Sequence, residues 1–132
     1  MGDVIVGRFG KCQTELAVEL IDEGLDLAER GNVDGAEACY KRAIAADSTL
    51  AEAHFNLGCI LFDKCDVAGA VERFTLALAI DPEFADAHFN IAMVLPIVGR
   101  RKDARQHWKR FLELAPDDDQ AWAARENMRH CR

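Results

Sequence analysis

The stretch AEAHFNLG at residues 51–58 returns as ADAHFNIA at residues 85–92. The interval from Ala51 to Ala85 brings His54 into step with His88, Phe55 with Phe89 and Asn56 with Asn90. Such a recurrence is either a pair of chemical sites or one structural unit written twice. The reach of the interval decides for the second. Ala36, Ala70 and Ala104 form one series at the same spacing, and Tyr40, Phe74 and Trp108 form another that is aromatic throughout. Gly24, Gly58 and Ala92 keep a small residue, while Leu27, Leu61 and Leu95 keep a leucine. Ala43, Ala77 and Phe111 follow, then Ser48, Pro82 and Pro116. Gly31, Cys65 and Gly99 share a turn slot. Self-similarity at a fixed period of this size is the signature of stacked supersecondary units.

Each unit reads as two helices. In the middle copy, Phe55, Gly58, Cys59 and Phe62 keep helical spacing over residues 51–63. The polar turn DKCD at 63–66 breaks that run. A second helix is predicted over 68–80, with Ala70, Val71, Phe74, Ala77 and Leu78 on one stripe. The dipeptide DP at 81–82 marks the next junction, because proline is poorly placed inside a helix. One hairpin of this kind cannot bury its apolar face alone, so neighbouring units must stack. Small residues at 24, 58 and 92 and alanines at 36, 70 and 104 let backbones approach, and the aromatic series is expected to fill the space between units.

Three positions carry specific expectations. Cys65 stands where the other copies have glycine. If that slot requires a left-handed backbone, cysteine there costs about 1 kcal/mol. Pro96 lies inside a first helix and should bend or break the segment MVLPIVG. Trp122 keeps the period, one full interval after His88, but the residues around it turn polar, as a terminal cap requires.

The series His54, Leu57, Gly58, Leu61, Ala70, Phe74, Ala77 and Pro82 resembles the signature of the tetratricopeptide repeat family. The third copy reads His88, Ile91, Ala92, Leu95, Ala104, Trp108, Phe111 and Pro116. The first is looser, with Leu20, Glu23, Gly24, Leu27, Ala36, Tyr40, Ala43 and Ser48. The resemblance implies an all-α, right-handed superhelix of antiparallel helix pairs. It divides the chain into an N-terminal arm at 1–13, three repeats within 14–118 (about 17–50, 51–84 and 85–118) and a C-terminal capping helix at 119–132. Val4, Ile5, Val6 and Phe9 of the arm could pack on the first helix, occupy the groove or stay mobile; the sequence leaves these open.

The totals agree with a binding module. A chain of 132 residues suffices for one domain with a modest core. Half of it is hydrophobic and 30% is charged, a globular composition. The net charge of −7 is uneven: residues 1–99 hold 7 Lys and Arg against 17 Asp and Glu, and residues 100–132 hold 9 against 6. An acidic bulk disfavours nucleic acid as partner. No apolar run suits a membrane span, so no membrane partner is expected. Five cysteines without a CxxC pair fit reduced thiols and a cytoplasmic location, and remove the common zinc and redox spacings. No phosphate loop, HExxH or nucleophile elbow occurs, so neither catalysis nor a cofactor or metal is expected. His54 and His88 with Cys59 could be imagined as a metal-enzyme site, but they form no compact ligand set and packing explains them better. Self-association of a homo-oligomer, through the apolar end of the first unit or the arm, is the competing structural reading.

In tetratricopeptide proteins the first helices line a concave, ligand-binding face. By that resemblance the groove here comprises Val18, Ile21, Asp22, Leu25, Ala28 and Glu29; then Glu52, Phe55, Asn56, Cys59, Phe62 and Asp63; then Asp86, Phe89, Asn90, Met93 and Ile97. The expected ligand is a protein or peptide segment, apolar with basic residues, held by an adaptor or scaffold. Asn56 and Asn90 would pair with its backbone, since an amide both donates and accepts. One family subgroup captures acidic chaperone tails with Lys, Arg and Asn. The corresponding positions are Ile21, Leu25, Asn56, Asp86 and Asn90; only Asn56 fits, and Asp86 would repel a carboxylate.

Overall fold

The computed structural model describes residues 12–131. The expectations for the N-terminal arm lie outside these residues, apart from Cys12 and Gln13. Among the described residues the chain is all helical. Helix α1 (Gln13–Glu29) pairs with α2 (Val33–Ala46), α3 (Ala51–Asp63) with α4 (Val67–Ile80), and α5 (Ala85–Val94) with α6 (Arg101–Leu114). A last helix, α7 (Ala121–His130), packs on α6. Contacts run chiefly between helices adjacent in the chain, as a one-dimensional stack of helix pairs requires.

Within each pair the turn is built the same way. Asn32, Asp66 and Arg100 donate their backbone N–H to the carbonyls of Leu27, Leu61 and Leu95 at 2.8, 2.8 and 2.9 Å. The residues before them, Gly31, Cys65 and Gly99, donate to Ala28, Phe62 and Pro96. This double bond pattern is a Schellman cap, which places its central residue in the left-handed region. Gly31 and Gly99 have φ of 80°, and Cys65 has φ of 66°. The slot inferred from the sequence is therefore left-handed in all three units, and Cys65 carries the penalty for its Cβ. Asn32 and Asp66 then cap α2 and α4, accepting from the N–H of Gly35 and Gly69 at 2.9 and 3.0 Å.

The small and aromatic series interlock inside each unit. A Cβ on Gly58 would lie 2.7 Å from Cε1 of Phe74, and one on Gly24 would meet the Tyr40 ring. The aromatic of the second helix thus lies over the glycine of its own first helix. It also reaches the following unit: Phe74 shares a core with Ile91, Ala92 and Val94, and Tyr40 with Leu57 and Ile60. The expectation that these rings fill the space between units describes only part of their packing.

The histidines latch the junctions. His54 Nε2 donates to the Ser48 carbonyl at 3.0 Å, and His88 Nε2 to the Pro82 carbonyl at 2.7 Å. Pro96 interrupts its helix as expected: α5 stops at Val94 and the chain continues as a 3₁₀ turn over Leu95–Val98. The third unit therefore presents a shorter first helix than the second.

Candidate functional site

Helices α3 and α5 lie one unit apart, so residues separated by one repeat period line a common trough. The expected groove residues divide among three depressions along it. The largest, ≈ 450 Å³, gathers Glu52, Phe55, Asn56 and Asp86. Cys59, Phe62, Asp63, Phe89, Asn90 and Met93 line a second, more apolar one of ≈ 350 Å³. Ile21 and Asp22, with Val18 and Glu52, line a third of ≈ 320 Å³. Leu25 belongs to none of these three.

The floor of the first depression is aromatic. The Phe55 ring lies 4.8 Å from that of Phe84 and 5.8 Å from that of Phe74, centroid to centroid. Its rim is acidic, because Glu52, Asp81 and Asp86 are all exposed. Asp81 and Phe84 are additions that first-helix reasoning missed. They belong to the junction between units. The signal for Phe84 in the sequence is its place one period after Leu50, another apolar residue immediately before a first helix.

The two asparagines occupy matching places but differ chemically. Asn90 Nδ2 donates to Cys59 Sγ at 3.3 Å. Asn56 is only 9% exposed, and its Nδ2 has no acceptor. An amide donor buried without a partner costs about 1–3 kcal/mol. Burial pushes the Cys59 thiol up to about 11, against the opposing effect of the Asn90 bond. Cys59 is therefore a neutral, weakly polar wall at neutral pH rather than a thiolate nucleophile.

Phe89 is half-buried and braced edge-on by Trp108 and Phe111, at 4.9 and 5.1 Å. Phe62 and Met93 are 41% and 47% exposed and form the accessible apolar edges of the second depression. Ile21 is buried, so it supports the third depression from below.

The residues considered as metal ligands are otherwise engaged. His54 contacts the Ser48 carbonyl and Arg73, His88 contacts the Pro82 carbonyl and His107, and Cys59 contacts Asn90. Among the described residues, no three His, Cys, Asp or Glu side chains converge on a point that could hold a metal ion. No helix among them is long and apolar enough to cross a membrane.

Comparison with known proteins returned matches in two forms. A TPR repeat model matches residues 24–64, and a tetratricopeptide repeat model matches residues 51–84. The structure is similar to the first TPR of Spaghetti (RPAP3) bound to the HSP90 peptide SRMEEVD, with a TM-score of 0.83 and 21% identity over 89% of this chain and 95% of that one. It is similar to the Arabidopsis OM64 TPR domain, with a TM-score of 0.82 and 20% identity over 89% and 98%. The second TPR domain of human RPAP3, in complex with the HSP70 peptide SGPTIEEVD, gives a TM-score of 0.80 and 23% identity over 89% and 98%. No curated protein matches the chain in sequence.

Proposed function

We propose that the chain is a tetratricopeptide repeat protein, as the repeat models matching residues 24–64 and 51–84 support, and that it is a non-catalytic peptide-binding adaptor or scaffold that works through its concave groove. In this reading α1–α6 are three repeats, about 17–50, 51–84 and 85–118, and α7 is the cap. The observation that carries the reading is the unpaired Asn56 amide between Phe55 and the acidic rim. A backbone carbonyl of a bound segment would accept from Asn56 Nδ2 and relieve that cost. Phe55, Phe62, Phe89 and Met93 offer apolar area of the aromatic and methionine type that suits adaptable interfaces.

Two of the similar structures hold peptides ending in EEVD. The ligand proposed here has the opposite charge. Asp22, Glu52, Asp63 and Asp86 line the depressions and favour an apolar segment carrying Lys or Arg. These exposed charges act through solvent, so their contribution should fall with salt over a screening length of about 8–10 Å.

The test is selection of peptides from a random display library, followed by titration of the selected peptide. Apolar, Lys- or Arg-bearing sequences are expected, with affinity falling as salt rises. Phe55→Ala combined with Phe62→Ala should abolish the binding while circular dichroism shows helicity retained. Undiminished binding by that double variant would move the ligand off the groove.

A further inference from the structure

The repeat period relates the apolar depression between α3 and α5 to another between α5 and α7. Met93, Pro96, Trp108 and Asn127 of the latter stand one period after Cys59, Phe62, Phe74 and Met93 of the former. The second copy has changed character. It measures ≈ 380 Å³ and is also bordered by Arg101 and His130.

Its donors outnumber its acceptors. Trp108 replaces Phe74 in the series and adds an indole N–H, which can only donate. The residue is 1% exposed, and its Nε1–H has no acceptor. The Arg101 guanidinium is exposed and faces no carboxylate within ion-pair distance among the described residues. Asn127 Nδ2 has only a long contact to Met93 Sδ, at 3.8 Å. The His130 ring donates through Nδ1 to the Glu126 carbonyl at 2.9 Å. No acidic side chain lines the depression, and the nearby acids are taken: Asp103 by Arg100 at 2.8 Å and Glu126 by Arg129 at 3.1 Å.

We infer that this depression is a binding site for a carboxylate group, held by Trp108 Nε1–H and the Arg101 guanidinium. Two donors of this kind match the two oxygens of one carboxylate, and a charged acceptor strengthens both bonds. Ala92, Met93 and Pro96 supply an apolar wall for the carbon atoms beside the carboxylate. The interrupted α5 helps to form the site, because Pro96 stands in the place of the bulkier Phe62, which edges the preceding depression. The site lies one unit beyond Asn56 and uses none of the positions 21, 25, 56, 86 and 90, at which the chaperone-tail subgroup holds its ligands. It does not depend on the groove reading above.

The carboxylate could come from a chain terminus or from a side chain, and the probes separate these sources. Three N-acetylated peptides serve: Ala-Leu-Ala with a free C-terminus, Ala-Glu-Ala amide, and Ala-Leu-Ala amide as the uncharged control. The indole N–H resonances of the ¹⁵N-labelled full chain report binding, with Trp122, 70% exposed, as internal reference. One or both charged peptides should shift the Trp108 signal saturably and the control should not. Whichever charged peptide acts identifies the source. Arg101→Gln should weaken that binding about ten-fold, the scale of one charge-assisted hydrogen bond. Trp108→Phe recreates the arrangement of the preceding unit, so folding should persist. In that variant the Met93 and Asn127 amide signals should stop responding. A Trp108 signal that never moves, an equal response to the uncharged control, or indifference to Arg101→Gln would each overturn the assignment. Phe55→Ala with Phe62→Ala should leave this response intact, which separates failure here from failure of the groove reading.

Discussion

His88 and His107 meet Nδ1 to Nδ1 at 2.9 Å, with one ring on α5 and the other on α6. His88 donates through Nε2 to the Pro82 carbonyl, so its Nδ1 is left facing the Nδ1 of His107, and one proton between these two nitrogens makes the bond. The contact therefore has room for one proton between the two rings and not for two. In the preceding unit the equivalent of His107 is Arg73, whose Nη1 stands 3.5 Å from His54 Nδ1. Both units thus set a nitrogen of the second helix against the histidine that holds the junction.

This pairing predicts a pH dependence. Burial first, and the neighbouring His88 second, lower His107 to about 4 from an ordinary 6.5. The unfolded chain then binds a proton between these values while the folded chain does not. Its contribution to stability is present above pH 6.5 and is lost as pH falls toward 4. Urea midpoints of the wild type should decline over that window more steeply than those of His107→Gln. Parallel pH profiles would mean that His107 titrates alike in both states.

Much of this architecture is legible in the chain because repetition supplies an internal comparison. The left-handed turn is readable from Gly31 and Gly99 flanking Cys65 in register, and the break at Pro96 from the missing amide donor. What repetition cannot show is where equivalent residues part company. Asn56 and Asn90 are the same letter in the same slot, yet only one has a sulfur within reach. That difference depends on packing between units, as does the inward turn of Phe84 from the junction toward Phe55. Nor does a single letter tell whether His107 lies in solvent or faces another histidine.

The close approach of Gly58 to Phe74 sets the second prediction. Phe74 is fully buried among Ile91, Ala92 and Trp108, so its ring cannot swing away from an added methyl. Gly58→Ala should cost about 1–3 kcal/mol by overpacking, despite the better helix propensity of alanine. Chemical denaturation measures it. An unchanged midpoint would show that α3 and α4 can separate without loss.

Cys65 gives a prediction of opposite sign. Its side chain is exposed and its φ is 66°. Cys65→Gly removes a left-handed penalty of about 1–2 kcal/mol but adds chain entropy to the unfolded state, leaving a net gain of about 0.5–1 kcal/mol. The same substitution removes a surface thiol. A lower melting temperature in Cys65→Gly would indicate that the cysteine side chain makes a favourable contact outweighing its backbone strain.

The two asparagines separate stability from binding, and this supplies the sharpest test of the groove. Asn56→Leu removes a buried donor that has no partner, so the isolated protein should gain about 1 kcal/mol or remain unchanged. Asn90→Leu removes a partnered donor and leaves Cys59 without its bond, so it should not show that gain. Binding should follow the reverse logic. The selected peptide should lose on the order of 1–3 kcal/mol of affinity with Asn56→Leu, because its carbonyl loses a desolvated donor. Asn90→Leu should matter less, since Asn90 must first release Cys59 before it can serve a ligand. Paired urea denaturation and peptide titration on both variants give the four numbers required. If Asn56→Leu destabilises the free protein and leaves affinity untouched, Asn56 is a structural residue and the ligand's backbone is held elsewhere.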